Sequence, residues 1–136
     1  MELTAALYDR LAGDATLVAL LATYRGEPAI FTVDPAPGDA ALPYIVTAGS
    51  VVDSAWDTKT TRGRQVWRDV RCYAPATGSS ATVEAIAERV RALLHRHYLE
   101  VDDHVTYLAE TAGPIALGDN EAYGRIITVR LTIGEV

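Results

Sequence analysis

The stretch ATVEAIAERVRALLHRHY, residues 81–98, decides the fold. Val83, Ile86, Ala87, Val90, Leu93, Leu94 and Tyr98 recur at the three-and-four spacing that lines one side of a helix, while Glu84, Glu88, Arg89, Arg91 and Arg96 take the other. The spacing predicts one long amphipathic helix that needs a receiving surface. Gly78, Ser79 and Ser80 offer an N-cap, Glu84 lies in the first turn, and His95, Arg96 and His97 suit the negative end of the helix dipole. Burying Val83, Ile86, Val90, Leu93 and Leu94 contributes roughly 1.5–3 kcal/mol each before the cost of ordering is subtracted. The flanking sequence is therefore expected to supply a sheet face.

Downstream, Ile127, Val129, Leu131 and Ile133 alternate with Ile126, Thr128, Arg130 and Thr132, the pattern of a half-buried antiparallel strand with one wet or partner-facing side. Between helix and strand, 104–111 reads as a strand with Val105, Tyr107 and Ala109 on one side. GPIALGDNEAYG (113–124) reads as a long turn-rich connection. Upstream, 65–74 is a strand in which Val66, Val70, Cys72 and Ala74 share a face with Arg68 as the exception. Trp67, Asp69, Arg71 and Tyr73 share the other, and aromatics beside charges describe a surface that meets a partner. A polar loop, DTKTTRGR (57–64), precedes it, after strands at 44–48 and 51–56 separated by a bulge near Gly49.

The first part of the chain carries two short helices. Leu3, Leu7 and Leu11 form the first stripe, ended by Gly13. Asp14 caps the second, with Leu17, Leu20, Leu21 and Tyr24 on one face and Gly26 and Pro28 closing it. Residues 29–33 are β-prone, and DPAPGDAALP (34–43), with three prolines and a glycine, is a loop. The order predicts an α+β fold: a mainly antiparallel sheet packed against one long amphipathic helix, with two short N-terminal helices, all in a single domain spanning 1–136.

Composition narrows the function. The chain has 136 residues, 49% apolar and 22% charged, as in ordinary globular proteins, and no apolar run approaches the roughly 20 residues of a membrane helix. The start MELTAALYDRL lacks the basic leader and apolar core of a signal peptide, so synthesis in the cytosol is expected. The net charge of −6 opposes general affinity for nucleic acid, and Arg62, Arg64, Arg68 and Arg71 are better read as solvated or interface groups than as a phosphate-binding strip. Cys72, the sole cysteine, alternates with core positions and reads as a small buried hydrophobe rather than a nucleophile.

No catalytic or cofactor motif emerges. On a helix His95 and His97 point about 200° apart and cannot chelate as a pair. The acidic knot of Glu100, Asp102 and Asp103 beside His104 matches no calcium-loop spacing, and Gly118, Asp119, Asn120 and Glu121 are turn residues first. Neither cofactor nor metal is expected. The alternative to a protein-binding role is a small ligand-binding or enzymatic domain, with a pocket near Tyr24, Tyr44 and His104.

Four strings in this order resemble the tail-terminator family of long-tailed phages and of phage-derived gene transfer agents, whose members are also described as tail-completion or head-tail joining proteins. They are LTAALYDRLAGDATLVALL (3–21), AIFTVDPAPGDAALPYI (29–45), RQVWRDVRCYA (64–74) leading into the helix, and YGRIITVRLTI (123–133). The resemblance implies a structural virion protein without catalytic residues. It implies a self-assembled ring, typically a homohexamer, that caps the head-proximal end of the tail tube, stops its polymerisation and offers a face to the neck or head-completion protein. An acidic chain also suits a channel through which DNA passes without sticking. On this reading Trp56, Trp67 and Tyr73 are aromatic anchor candidates, and Arg62, Arg64 and Arg68 are candidate groups for pairing across subunits.

Overall fold

A computed structural model of the chain describes residues 3–33, 35–47, 50–99, 101, 104–118 and 121–135. In chain order these form α1 (Leu3–Ala12), α2 (Ala15–Val18), β1 (Thr23–Tyr24), β2 (Glu27–Pro28), β3 (Ile30–Phe31), β4 (Tyr44–Val46), β5 (Ser50–Ala55), β6 (Gly63–Pro75), α3 (Ala81–Leu94), β7 (His104–Gly118) and β8 (Ala122–Glu135). The main sheet runs β3-β4-β6-β8-β7, with β5 also paired to β6. Every pairing in it is antiparallel except β3 with β4. The fold is α+β, as the alternation of strands and amphipathic helices requires.

β6 and β8 pair along their whole lengths and form the spine. One side of this spine is dry: Val66, Val70, Cys72, Ala74, Ile127, Val129, Leu131 and Ile133 are buried, and α3 lies over β6, β8 and β7 with Val83, Ile86, Ala87, Val90, Leu93 and Leu94 turned inward. Leu3, Leu7 and Leu11 of α1 complete the same core. The Cys72 thiol, pushed up to about 12 by burial, stays neutral there.

The helix expected over 81–98 stops at Leu94, and its last turn is replaced by bonds to the sheet. His95 is extended (φ −71°, ψ 119°) and Arg96 takes φ +58°. From there the Arg96 N–H donates to the Ala109 carbonyl at 2.8 Å, and the Thr111 N–H donates to His95 Nδ1 at 3.2 Å. The outer groups of β7 thus compete successfully with the next helical turn. Tyr98, expected on the buried stripe, is 68% exposed as a result. At the other end of α3 the expected cap is only partly made: the N-cap residue Ser80 makes no side-chain capping bond, and Ser79 Oγ accepts from the Ala81 N–H at 3.3 Å instead.

Two further expectations are corrected. Asp14 does cap α2 through the Leu17 N–H at 2.9 Å, but the helix lasts one turn. Residues 23–28 form a hairpin instead, with Arg25 (φ +50°) and Gly26 (φ +84°) at its corner. Two consecutive left-handed residues are the geometry of a tight turn between twisted strands, and Gly26 adopts it without strain. The stretch 113–124 is not a long connection: β7 continues to Gly118 and β8 begins at Ala122. A register shift between Ala112 and Ile115 absorbs Gly113 and Pro114, which the edge position of β7 tolerates because a proline there forfeits no ladder bond to a further strand. The predicted bulge at Gly49, the acidic knot at Glu100, Asp102 and Asp103, and the turn at Asp119 and Asn120 lie outside the described residues.

Candidate assembly face

The three helices of the described residues pack on one side of the sheet, so the alternate residues of its strands look away from them. Cross-strand register sets these residues in rows. One row runs Val52, Trp67, Arg130, Glu110 across β5, β6, β8 and β7. In it the Arg130 guanidinium lies 5.7 Å from the Trp67 ring centre, and its buried Nε finds no hydrogen-bond partner among the described residues. Beside this row, Thr128 Oγ1 donates to Asp69 at 2.8 Å. Charges on this side are largely engaged with their neighbours.

Aromatic rings frame the two ends of the face. At one end Tyr24, Phe31, Tyr44 and Tyr73 form a chain with centroid separations of 5.3, 5.7 and 5.4 Å, and the Tyr24 hydroxyl donates to Asp39, which holds its phenol above the ordinary value. At the other end Trp56 and Tyr107 meet at 5.6 Å over the paired glycines Gly63 and Gly134. A Cβ on Gly134 would stand 2.6 Å from the Tyr107 ring, and one on Gly63 would stand 2.5 Å from the Trp56 carbonyl oxygen and 3.0 Å from its ring. Glycine makes room for the pair. Val52, Trp56, Val105, Tyr107 and Ile115, five of the exposed large hydrophobic side chains, all belong to this side.

The residues singled out from sequence fall in three places. Trp67 and Tyr73 lie on the outward face, and Trp56 joins them through Tyr107. Arg62 is exposed on the β5–β6 loop, and Arg64 is paired with Asp53 at 2.9 Å at the same end of the molecule. Arg68 instead turns into the dry side at 4% exposure, where its guanidinium donates to Thr4 Oγ1 at 2.6 Å and burial lowers its pKa. It ties α1 to the sheet. Tyr107, Val52, Ile115 and Arg130 were not singled out. Arg130 was already marked by its outward alternation, whereas the exposure of Tyr107 depends on a register shift between Thr106 and Leu108 that no residue pattern announces.

The pocket considered near Tyr24, Tyr44 and His104 is not formed. Tyr44 reaches the Gly124 end of β8 through Tyr73, while His104 pairs with Glu135 at the opposite end. A groove of about 510 Å³ lies instead between α1 and residues 98–99. Its walls are tied together by Arg10 Nε donating to the Leu93 carbonyl at 2.9 Å and by a two-bond pairing of Arg89 with Asp14 at 2.8 and 2.7 Å.

The sheet is thus backed by helices on one side and presents aromatics on the other. Residues 5–134 match the family model described as tail completion protein gp17. The chain belongs to that family, one of structural virion proteins, and is accordingly a tail component of a phage or phage-like particle. A chain from the structure titled "Virion of native gene transfer agent (GTA) particle" superposes with a TM-score of 0.80 at 22% identity, covering 97% of this chain and 94% of that one, and shows the same fold. No curated protein sequence matches the chain.

Proposed function

We propose that the protein acts as a tail terminator: a single domain that closes with five copies of itself into a ring at the head-proximal end of the tail tube, halts tube polymerisation and joins the tail to the neck. The observation that carries this reading is the one-sided sheet, whose outward face gathers Trp67, Tyr73 and the Trp56–Tyr107 pair. A head-to-tail ring repeats one heterologous contact until rotation closes it, and it has two chemically different ends, one able to match the tube and the other the neck. Trp56, Trp67 and Tyr73 serve as anchors in that contact, with Arg62 and Arg64 at its rim. Arg68 contributes from inside, by fixing α1 on the sheet. The net charge of −6 supports a channel that lets DNA slide past without capture.

The test is assembly in the presence of the tube protein, read by native mass measurement and by tail length in electron micrographs. Wild-type protein is expected to give a discrete ring and tails of uniform length. Trp67→Ala is expected to keep the fold and lower ring yield by about tenfold or more. Unchanged ring mass and tail length in that variant would remove Trp67 from the contact.

A further inference from the structure

We infer that the loop joining β5 and β6 is a finger that seats in the groove between α1 and residues 98–99 of the neighbouring copy. This rests on the ring reading above and names the contact that closes it.

The loop is ordered before it meets anything. The Trp56 N–H donates to the Gly63 carbonyl at 2.9 Å, the Thr58 N–H to the Thr61 carbonyl at 2.8 Å, and the Thr61 N–H to Thr58 Oγ1 at 3.0 Å. Asp57 is consumed within the loop, since its Oδ1 accepts from the Gly63 N–H at 3.1 Å. Lys59 and Arg62 remain exposed, so the finger presents positive charge on a frame already fixed, and little further ordering is needed on docking.

The groove is the complement. Leu93 and Leu99 are nearly covered, Tyr98 stands largely exposed on one wall, and Asp9 is exposed on the rim. Among the described residues the other charged groups there are engaged, Asp14 with Arg89 and Arg10 with the Leu93 carbonyl. Among the described residues Asp9 is therefore the carboxylate that an incoming cation meets, and the Tyr98 ring stands beside it for the cation's stem. A volume of about 510 Å³ accommodates a loop tip.

Position completes the argument. The finger is carried by the β5–β6 hairpin, whereas the groove is walled chiefly by Ala6, Asp9, Arg10 and Gly13 of α1 and its end. Finger and groove are thus separate patches of one chain, the two unlike halves that a head-to-tail contact needs. Lys59 of one copy pairs with Asp9 of the next.

Charge reversal tests this. In the assembly with tube protein, Lys59→Glu and Asp9→Lys are each expected to cut ring yield by about tenfold, because like charges then face one another across the contact. The doubly reversed chain is expected to return to within about threefold of wild type, since the pair is re-formed with its signs exchanged. A chain carrying both Asp9→Cys and Lys59→Cys should form covalent multimers on mild oxidation, with buried Cys72 taking no part. Wild-type rings together with unaffected single variants, an unrescued double variant or no covalent multimers would overturn the finger contact and leave the ring standing. Wild-type protein that forms no ring with the tube would overturn both.

Discussion

The two sides of β6 share a backbone and little else. Toward the helices it presents Val66, Val70, Cys72 and Ala74, at most 1% exposed, and the lone polar member of that row, Arg68, has its hydrogen bond to Thr4. On the outward side Trp67, Asp69, Arg71 and Tyr73 are half-buried by one another and by their neighbours on β4, β5 and β8. The inner side excludes water by aliphatic packing. The outer side keeps a shape by stacking rings, by Arg130 lying over Trp67 and by Thr128 donating to Asp69, groups that stay within reach of another protein. Core packing and the proposed contact surface thereby fall to alternate residues of one strand.

The inner side breaks most severely. Leu131→Ala should lower unfolding free energy by about 2–5 kcal/mol, because the cavity under α3 cannot refill from solvent. Trp67→Ala, at the same level of the sheet, should cost only about 1 kcal/mol in the isolated chain. Urea unfolding of the two variants measures the contrast, and equal costs would erase the distinction between the sides. Gly134→Ala probes the outer side's own architecture: the added methyl displaces Tyr107 from its place beside Trp56, for an expected loss of about 1–3 kcal/mol and an altered near-ultraviolet aromatic signal.

The smallest expected effect is a pH dependence. Hydrogen bonds from Arg89, aided by the Leu17 N–H, hold the Asp14 carboxyl at about 2 instead of 3.8. The folded state therefore favours the ionised form. Its contribution is complete above pH 3.8 and fades as pH falls toward about 2. Asp14→Asn should flatten the fall of the urea midpoint across that window and leave the slope above it unchanged.

Much of the fold was legible because burial leaves a period. The alternation at 126–133 became β8 with its odd-numbered residues inside, and the stripe in 81–94 became the buried side of α3. Legibility ended where distant groups decide. Nothing in HRHY (95–98) says that the backbone of β7 will outbid another helical turn, and Pro114 with two glycines nearby describes a loop unless the edge position of its strand is known. For the candidate face, Trp67 and Tyr73 could be read from alternation, and Arg68 was visible as an exception in an apolar row. Its meaning depended on Thr4, more than sixty residues away in the chain. The pairing of Trp56 with Tyr107 rests on Gly63 opposite Gly134, which is a matter of register across strands.

The hook that residues 95–96 form on β7 has one more effect. An open sheet border is a template on which any extended peptide can continue the ladder, and chains bearing one are prone to fibres. By occupying the Ala109 carbonyl and the Thr111 amide with its own backbone and His95 ring, this chain denies that site to strangers. Growth of the sheet is blocked there from within, and any contact made at this border falls to side chains instead of the backbone ladder.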